Sequence, residues 1–209
     1  MASLLLNSLQ IEWLGHASFK FKCGEQVVYT DPYNTSGEKA DLVLITHNHY
    51  DHCDSNSLKS IAGSDTVILA PSSAASKLEG FRVKIIKAGD SLDEMGVTGK
   101  AVSAYNTNKQ FHPKGVGLGY VFTMGGKNIY QAGDTDIIEE MRLLGQVHVA
   151  ILPVGGTYTM NAEEAATAVN EIIKPEVSIP MHWGSIVGSK SDADKFKELV
   201  KVGRVEIFE

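Results

Sequence analysis

Apolar positions along the chain fall into short runs punctuated by glycine, with few long helical stripes. IEWLG, ASFKFKC and QVVYTD, each set off by Gly, predict a meander of short strands, and the LLLN patch ahead of them reads as the approach to a first strand. DLVLIT is continuously apolar and predicts a buried strand. SNSLKSIAG predicts a short helix capped by Asp54 or Ser55. TVILAP follows as a strand, SSAASKLEG as a helix closed by Gly80, and RVKIIKAG, SLDEM and GKAVSAYN as strands. GLGYVFTMGGKNIYQ predicts a hairpin about Gly125 and Gly126, residues free to take the positive φ of a tight turn. The remainder alternates: helix DIIEEMRLLG, strand VHVAILPV, helix NAEEAATAVNEIIKPE, strand VSIPMHW, helix SDADKFKELVKVG and strand RVEIFE. The second of these helices is the best marked, with Asn161 as cap, Glu164 three residues on and Pro175 as stop. This order fits two mostly antiparallel sheets with helices outside and fits a single mixed sheet equally well.

Composition narrows the class. The 209 residues suffice for one substantial domain, expected to span 1–209. An apolar share of 43% and a charged share of 21% are those of an ordinary globular chain. Cys23 and Cys53 cannot form a disulfide framework, so the expected setting is reducing and cytoplasmic. The N-terminus has no basic flank or small-residue cleavage site, so no signal peptide is expected. No window approaches the roughly 18 apolar residues of a membrane span. A net charge of −6 argues against a nucleic-acid partner, which favours a basic face. A small-molecule substrate is expected, with no membrane partner, and homo-oligomerisation is left open.

The chemistry concentrates in ITHNHYDHCD, residues 45–54, which hold three of the seven histidines. His47, His49, Asp51 and His52 put four donor-type side chains within six residues, directly after a buried strand. Neutral imidazoles suit Zn, Fe or Mn, and carboxylates suit the harder members of that set. A solvated histidine loop is the plainer reading, and the density of donors outweighs it. Asp134 follows the strand NIYQAG and His182 the strand VSIP. Taken alone, Asp134 would read as a helix N-cap and His182 as a core or surface histidine. Beside the first cluster both read as ligands brought to one edge by rigid strands. No G-x-S-x-G nucleophile elbow is present.

GHASFKF with VVYTDP, then THNHYDH, then IYQAGDTD and PMHW, in that order, resemble the metallo-β-lactamase superfamily of metal-dependent hydrolases over nearly the whole chain. The GHASF and TDP elements resemble the branch containing L-ascorbate-6-phosphate lactonase. The resemblance implies an α/β fold, a four-layer αββα sandwich of two mixed β-sheets with metals at one edge. It implies that His47 and His49 bind a first metal, that Asp51, His52 and His182 bind a second, and that Asp134 bridges both. The cofactor would be one or two Zn ions, with Mn or Fe as alternatives. Asp31 matches an aspartate supporting the site from behind its ligands, against a plain reading as the turn residue before Pro32. His16, in GHASF, is a weaker candidate near the site.

The implied reaction is hydrolysis of a small anionic ester, lactone or phosphodiester by a metal-bound hydroxide, since Zn lowers the pKa of its water to about 7. Asp51 and Asp134 are the expected catalytic carboxylates, Asp51 orienting the water. Two departures from the family pattern stand out. Asn106 occupies the position of the usual third histidine of the first metal, and His112, six residues on, could replace it. Gln131 stands where many relatives have histidine, which predicts tuning of the pocket. Cys53 is read as an inert buried thiol, His148 as a structural strand residue, and Tyr105, Lys109 and Lys114 as weak candidates for contact with an anionic substrate. Three rival readings remain: a nuclease or phosphodiesterase of the same superfamily, a diiron redox module, and a non-catalytic metal-binding descendant. The first lacks length for an inserted domain, and the second would favour a carboxylate at position 49.

Overall fold

Strict alternation builds the first strands. In Ser18–Cys23, Phe19 and Phe21 turn inward while Lys20 and Lys22 turn outward to Glu12 and Glu38. The computed structural model describes residues 3–208. One sheet runs β1 (Ser3–Leu6), β2 (Leu9–Gly15), β3 (Ser18–Cys23), β4 (Gln26–Thr30), β5 (Ala40–Leu44), β6 (Ala62–Ala70) and β7 (Val83–Ile85), in that spatial order. The other contains β8 (Ser91–Glu94), β9 (Val97–Ala104), β10 (Gly117–Met124), β11 (Lys127–Gln131), β12 (Val149–Pro153), β13 (Val177–Met181) and β14 (Arg204–Val205), again in chain order across the sheet.

Each sheet has four antiparallel strands followed by three added in parallel. Both are therefore mixed, which decides between the alternatives left open by the pattern and corrects the reading of the two sheets as mostly antiparallel. The sheets face one another through Ile11, Phe19, Phe21, Leu42 and Leu44 on one side and Leu118, Tyr120 and Phe122 on the other. Phe21 meets Phe122 edge-on, with ring centroids 5.1 Å apart. Each buried aromatic or aliphatic side chain here contributes roughly 1.5–3 kcal/mol of transfer free energy. Helix α1 (Ser55–Ile61) lays Leu58 and Ile61 over the outer face of the first sheet, against Val43 and Ile68. Helices α2 (Ala162–Thr167) and α3 (Lys190–Leu199) cover β12 and β13 on the other side. The layers are α, β, β, α. With both faces covered, β12 and β13 are buried throughout and apolar at every position but Ser178.

Several expected elements are shorter or tighter than the pattern suggested. Residues 136–145 form only a 3-10 turn over Glu139–Leu143, because Asp136 spends its carboxylate on a neighbouring loop and Ile138 is extended and buried. SSAASKLEG is likewise a 3-10 turn, Ser72–Lys77. The helix capped by Asn161 is α-helical to Thr167 and then widens into a π-turn, Ala168–Ile173, ending at Lys174 ahead of Pro175. The last strand pairs over Arg204–Val205 alone, and Glu209 lies outside the described residues.

Candidate metal centre

The ends of β4, β5, β9, β11 and β13 and the turn between β2 and β3 reach one edge of the sandwich. Six of the chain's seven histidines meet there; His148 instead accepts the backbone N–H of Asn128. The side chains fall into two sets, in each of which the donor atoms lie within 4.8 Å of one another: His47, His49, His112 and Asp134, and His16, Asp51, His52 and His182.

Local structure aims these donors. Asp31 ends β4 with φ 43° and receives the Thr46 backbone N–H (2.8 Å) and the Thr46 hydroxyl (2.7 Å). A hydroxyl has one proton, and here it goes to Asp31. The 2.9 Å contact between Thr46 Oγ1 and His47 Nδ1 is therefore donated by the imidazole, which frees His47 Nε2 for the site. His52 Nδ1 donates directly to Asp31 (2.8 Å), leaving its Nε2 facing Asp134 Oδ1 at 3.4 Å. Asp31 thus orients one histidine of each set.

Asp134 follows Gly133, whose φ of 65° and close approach to Leu118 O and Thr46 leave no room for a Cβ. Its residue is not a helix cap; Asp134 Oδ2 lies 3.1 Å from both His112 Nε2 and His182 Nε2. His182 has φ 61°, and its backbone N–H donates to the carbonyl of His16, itself at φ 52°. Backbone held in this region by non-glycine residues costs free energy that the surroundings must supply, and such residues gather at functional sites.

Asn106 is not among the converging donors. Its Oδ1 accepts the backbone N–H of His112 (3.0 Å) and faces His112 Nδ1 (3.2 Å), which turns His112 Nε2 inward. Its amide donates to Asp136 Oδ1 and to the Tyr158 carbonyl. Asp136 also receives Thr107 N–H and Lys109 Nζ, so it anchors the loop carrying His112. Sequence reasoning missed Asp136 and Thr46; the second aspartate of GDTD and the threonine before His47 were the available signals. His16, a weaker candidate in the sequence, packs inside the second set and its Nε2 donates to Asp51 (2.9 Å).

Other expectations are corrected. Gln131 does not line the cleft; it is buried between the sheets, donating to Ala17 O and Thr30 Oγ1. Lys109 is held by Asp136 and Lys114 by Glu140, which also bonds Tyr105, so neither lysine faces the donors. Cys53, by contrast, is the buried thiol expected: it sits under the outer face of the first sheet, pushed up to about 11 by burial.

The two sets differ electrically. Burial, with neighbouring imidazoles, holds His47 well below the ordinary histidine range, and burial with His112 lowers His49. Burial works the same way on His52, but the Asp134 and Asp31 carboxylates overcome it and hold His52 well above that range. Burial also disfavours ionised Asp51 and Asp134. The His16 hydrogen bond nevertheless brings Asp51 down to about 2, and His182 and His52 keep Asp134 well below the carboxylate range.

This arrangement suits divalent metals. His47 Nε2 and His49 Nδ1 lie 3.0 Å apart, and His112 Nε2 and His49 Nδ1 3.3 Å apart. Donors at Zn–N distances of roughly 2.0–2.1 Å around a tetrahedral ion are spaced about 3.3 Å apart. His52 Nε2, Asp134 Oδ1 and His182 Nε2 are buried with no hydrogen-bond partner, an unfavourable state that a shared cation would relieve. The donors floor a cleft of about 250 Å³, rimmed by Tyr50, Phe111, Tyr158 and Ile186.

Comparison with known proteins agrees with this geometry. Residues 10–182 match the family model described as a beta-lactamase superfamily domain. The chain is 34% identical to the UPF0173 metal-dependent hydrolase of Thermoplasma acidophilum, over 93% of this chain and 92% of that one. Among solved structures, one from Parabacteroides distasonis is 32% identical with TM-score 0.88, covering 99% of this chain and 96% of that one. Igni18, a metallo hydrolase from Ignicoccus hospitalis, is 26% identical with TM-score 0.80, covering 96% and 95%.

Proposed function

This chain belongs to the β-lactamase superfamily and, within it, to the UPF0173 metal-dependent hydrolases, and from that premise we propose that it hydrolyses a small ester, lactone or phosphodiester with two metals, Zn in the first instance. His47, His49 and His112 would hold one metal and Asp51, His52 and His182 the other, with Asp134 placed between the two sets. The observation that carries this reading is the pair of four-donor sets meeting at Asp134. Metals held there would supply a water of lowered pKa, from about 15.7 to about 7 for Zn, and a positive charge for the substrate's oxygen.

The chain's own residues do the rest. Asp51, fixed by His16 and facing the cleft, accepts a hydrogen bond from the attacking water and orients it. Asp134 keeps the two sets in register. Asp31, through Thr46 and directly, holds His47 and His52 in the tautomers that present Nε2 to the site. Lactone cleavage, the chemistry of the L-ascorbate-6-phosphate lactonase branch, is one of the candidate reactions. The anionic substrate expected from the sequence has no cationic side chain to meet it among the described residues lining the cleft.

The test is to strip the protein with chelator, reload it with Zn, Mn or Fe, and assay lactones, phosphodiesters and thioesters. Metal-dependent turnover of one class is expected. Metal uptake below about a tenth of an equivalent, or reloaded protein inert towards every class, contradicts the reading.

A further inference from the structure

Three of the eight exposed large hydrophobic side chains among the described residues lie at the mouth of the cleft. Tyr50 is 60% exposed, Phe111 50% and Ile186 46%, and all three border the donors. Tyr158 completes the wall, its ring edge-on to Phe111 at a centroid distance of 4.8 Å. Four separate loops supply these residues. Ile186 holds φ 67°, a conformation that β-branched residues rarely adopt, so its presentation at the rim is imposed by the surrounding loop.

No Lys or Arg lines the cleft among the described residues. The nearby lysines of the His112 loop are engaged by Asp136 and Glu140. Lys77 lies in the neighbouring open groove beyond Tyr50, where its ammonium donates to the Asn48 carbonyl. A charged substituent packed against this wall would lose water and gain no partner, which is costly. A hydrophobic one would gain from burial against aromatic rings, as in most small-molecule sites.

We propose that the substrate carries an uncharged, apolar or aromatic substituent next to its scissile bond, seated among Tyr50, Phe111, Tyr158 and Ile186. This rests on the hydrolase reading above and names its substrate class. The wall selects against substituents bearing phosphate or carboxylate, and Phe111 and Tyr158 set specificity by contact with the substituent.

Two measurements on the metal-loaded protein test this. In the first, hydrolysis of methyl phenylacetate and monomethyl succinate is followed by pH-stat. The phenylacetate is expected to have a kcat/KM at least about tenfold higher, and Phe111→Ala to raise its KM about tenfold with kcat little changed. Phe111→Leu should recover most of the loss, with metal content equal in all three proteins. Preference for the succinate, or a ratio unmoved by Phe111→Ala, overturns the proposal.

In the second, saturation-transfer NMR compares N-benzylacetamide with N-acetyltaurine, which share an acetamide and differ in charge. Saturation of the benzyl ligand that weakens in Phe111→Ala supports the proposal. Equal saturation of the sulfonate, or none of either ligand, overturns it. If neither ester turns over, the lactone, phosphodiester and thioester panel above decides the hydrolase reading, while the binding result still decides this proposal.

Discussion

The two donor sets share one carboxylate and are otherwise built differently. His16, Asp51, His52 and His182 are all buried and come from strand ends or the turn after β2, with His16 and His182 in left-handed backbone. The other set includes His49, which is exposed, and His112, which reaches the site from a long loop through the clasp of Asn106. The charge states differ too. Without metal, His47 and His49 are lowered and ready as neutral ligands, whereas His52 is raised and carries a proton that a metal must displace. In one set His52 is protonated before metal arrives, and in the other His47 and His49 are neutral beside the ionised Asp134 and His112 depends on a loop. Both sets reach the cleft, the open one through His49 and His112 and the buried one through Asp51 and His182, while the apolar wall comes from the loops around them, where substrate variety can be accommodated.

Asp134→Ala should erase the contrast, because it removes the shared carboxylate. Metal content is expected to fall to below about a tenth of an equivalent, with loss of turnover, read by elemental analysis and activity together. Asn106→Ala should sharpen it. Freed from its clasp, His112 no longer presents Nε2 reliably, and the open set is expected to lose about 10–100-fold in metal affinity while the buried set keeps its ion. A chelator titration would then show two well-separated steps.

Asp31→Asn and Thr46→Val form a matched pair. Asp31 serves both sets and Thr46 only His47, so the first substitution should weaken both metals and the second only the open one, each by about tenfold or more. The smallest effect is in protons. The raised His52 keeps its proton from low pH up to its metal-free pKa, so metal affinity of the buried set should rise with pH through neutrality and level off above that pKa. Calorimetry in buffers of different ionisation enthalpy should detect about one proton released on filling the buried set and none from His47 or His49 on filling the other.

Much of the site was legible because strand ends concentrate donors in sequence. His47, His49, Asp51 and His52 follow β5 directly, and Asp134 and His182 follow β11 and β13 within a few residues. The layered fold followed from the order of motifs, whereas strand and helix patterns left the number of sheets open. The choice between Asn106 and His112 was not legible, because it depends on Asp136, some 30 positions downstream, folding the loop back on itself. The inclusion of His16 depends on a left-handed turn that no periodicity reveals. The apolar wall is drawn from positions 50, 111, 158 and 186, too far apart for any local pattern. The predicted helix over 136–145 failed for a related reason: its first residue, Asp136, is committed to the His112 loop.

The central claim is that two metals are held by two unequal donor sets meeting at Asp134. A crystal of the Zn-loaded protein, measured with anomalous scattering above and below the Zn edge, tests it most directly. Two peaks are expected, one among His47, His49 and His112 and one among Asp51, His52 and His182, each in contact with Asp134. A single peak away from Asp134, a peak coordinated by Asn106, or no peak in protein soaked with excess Zn would contradict it.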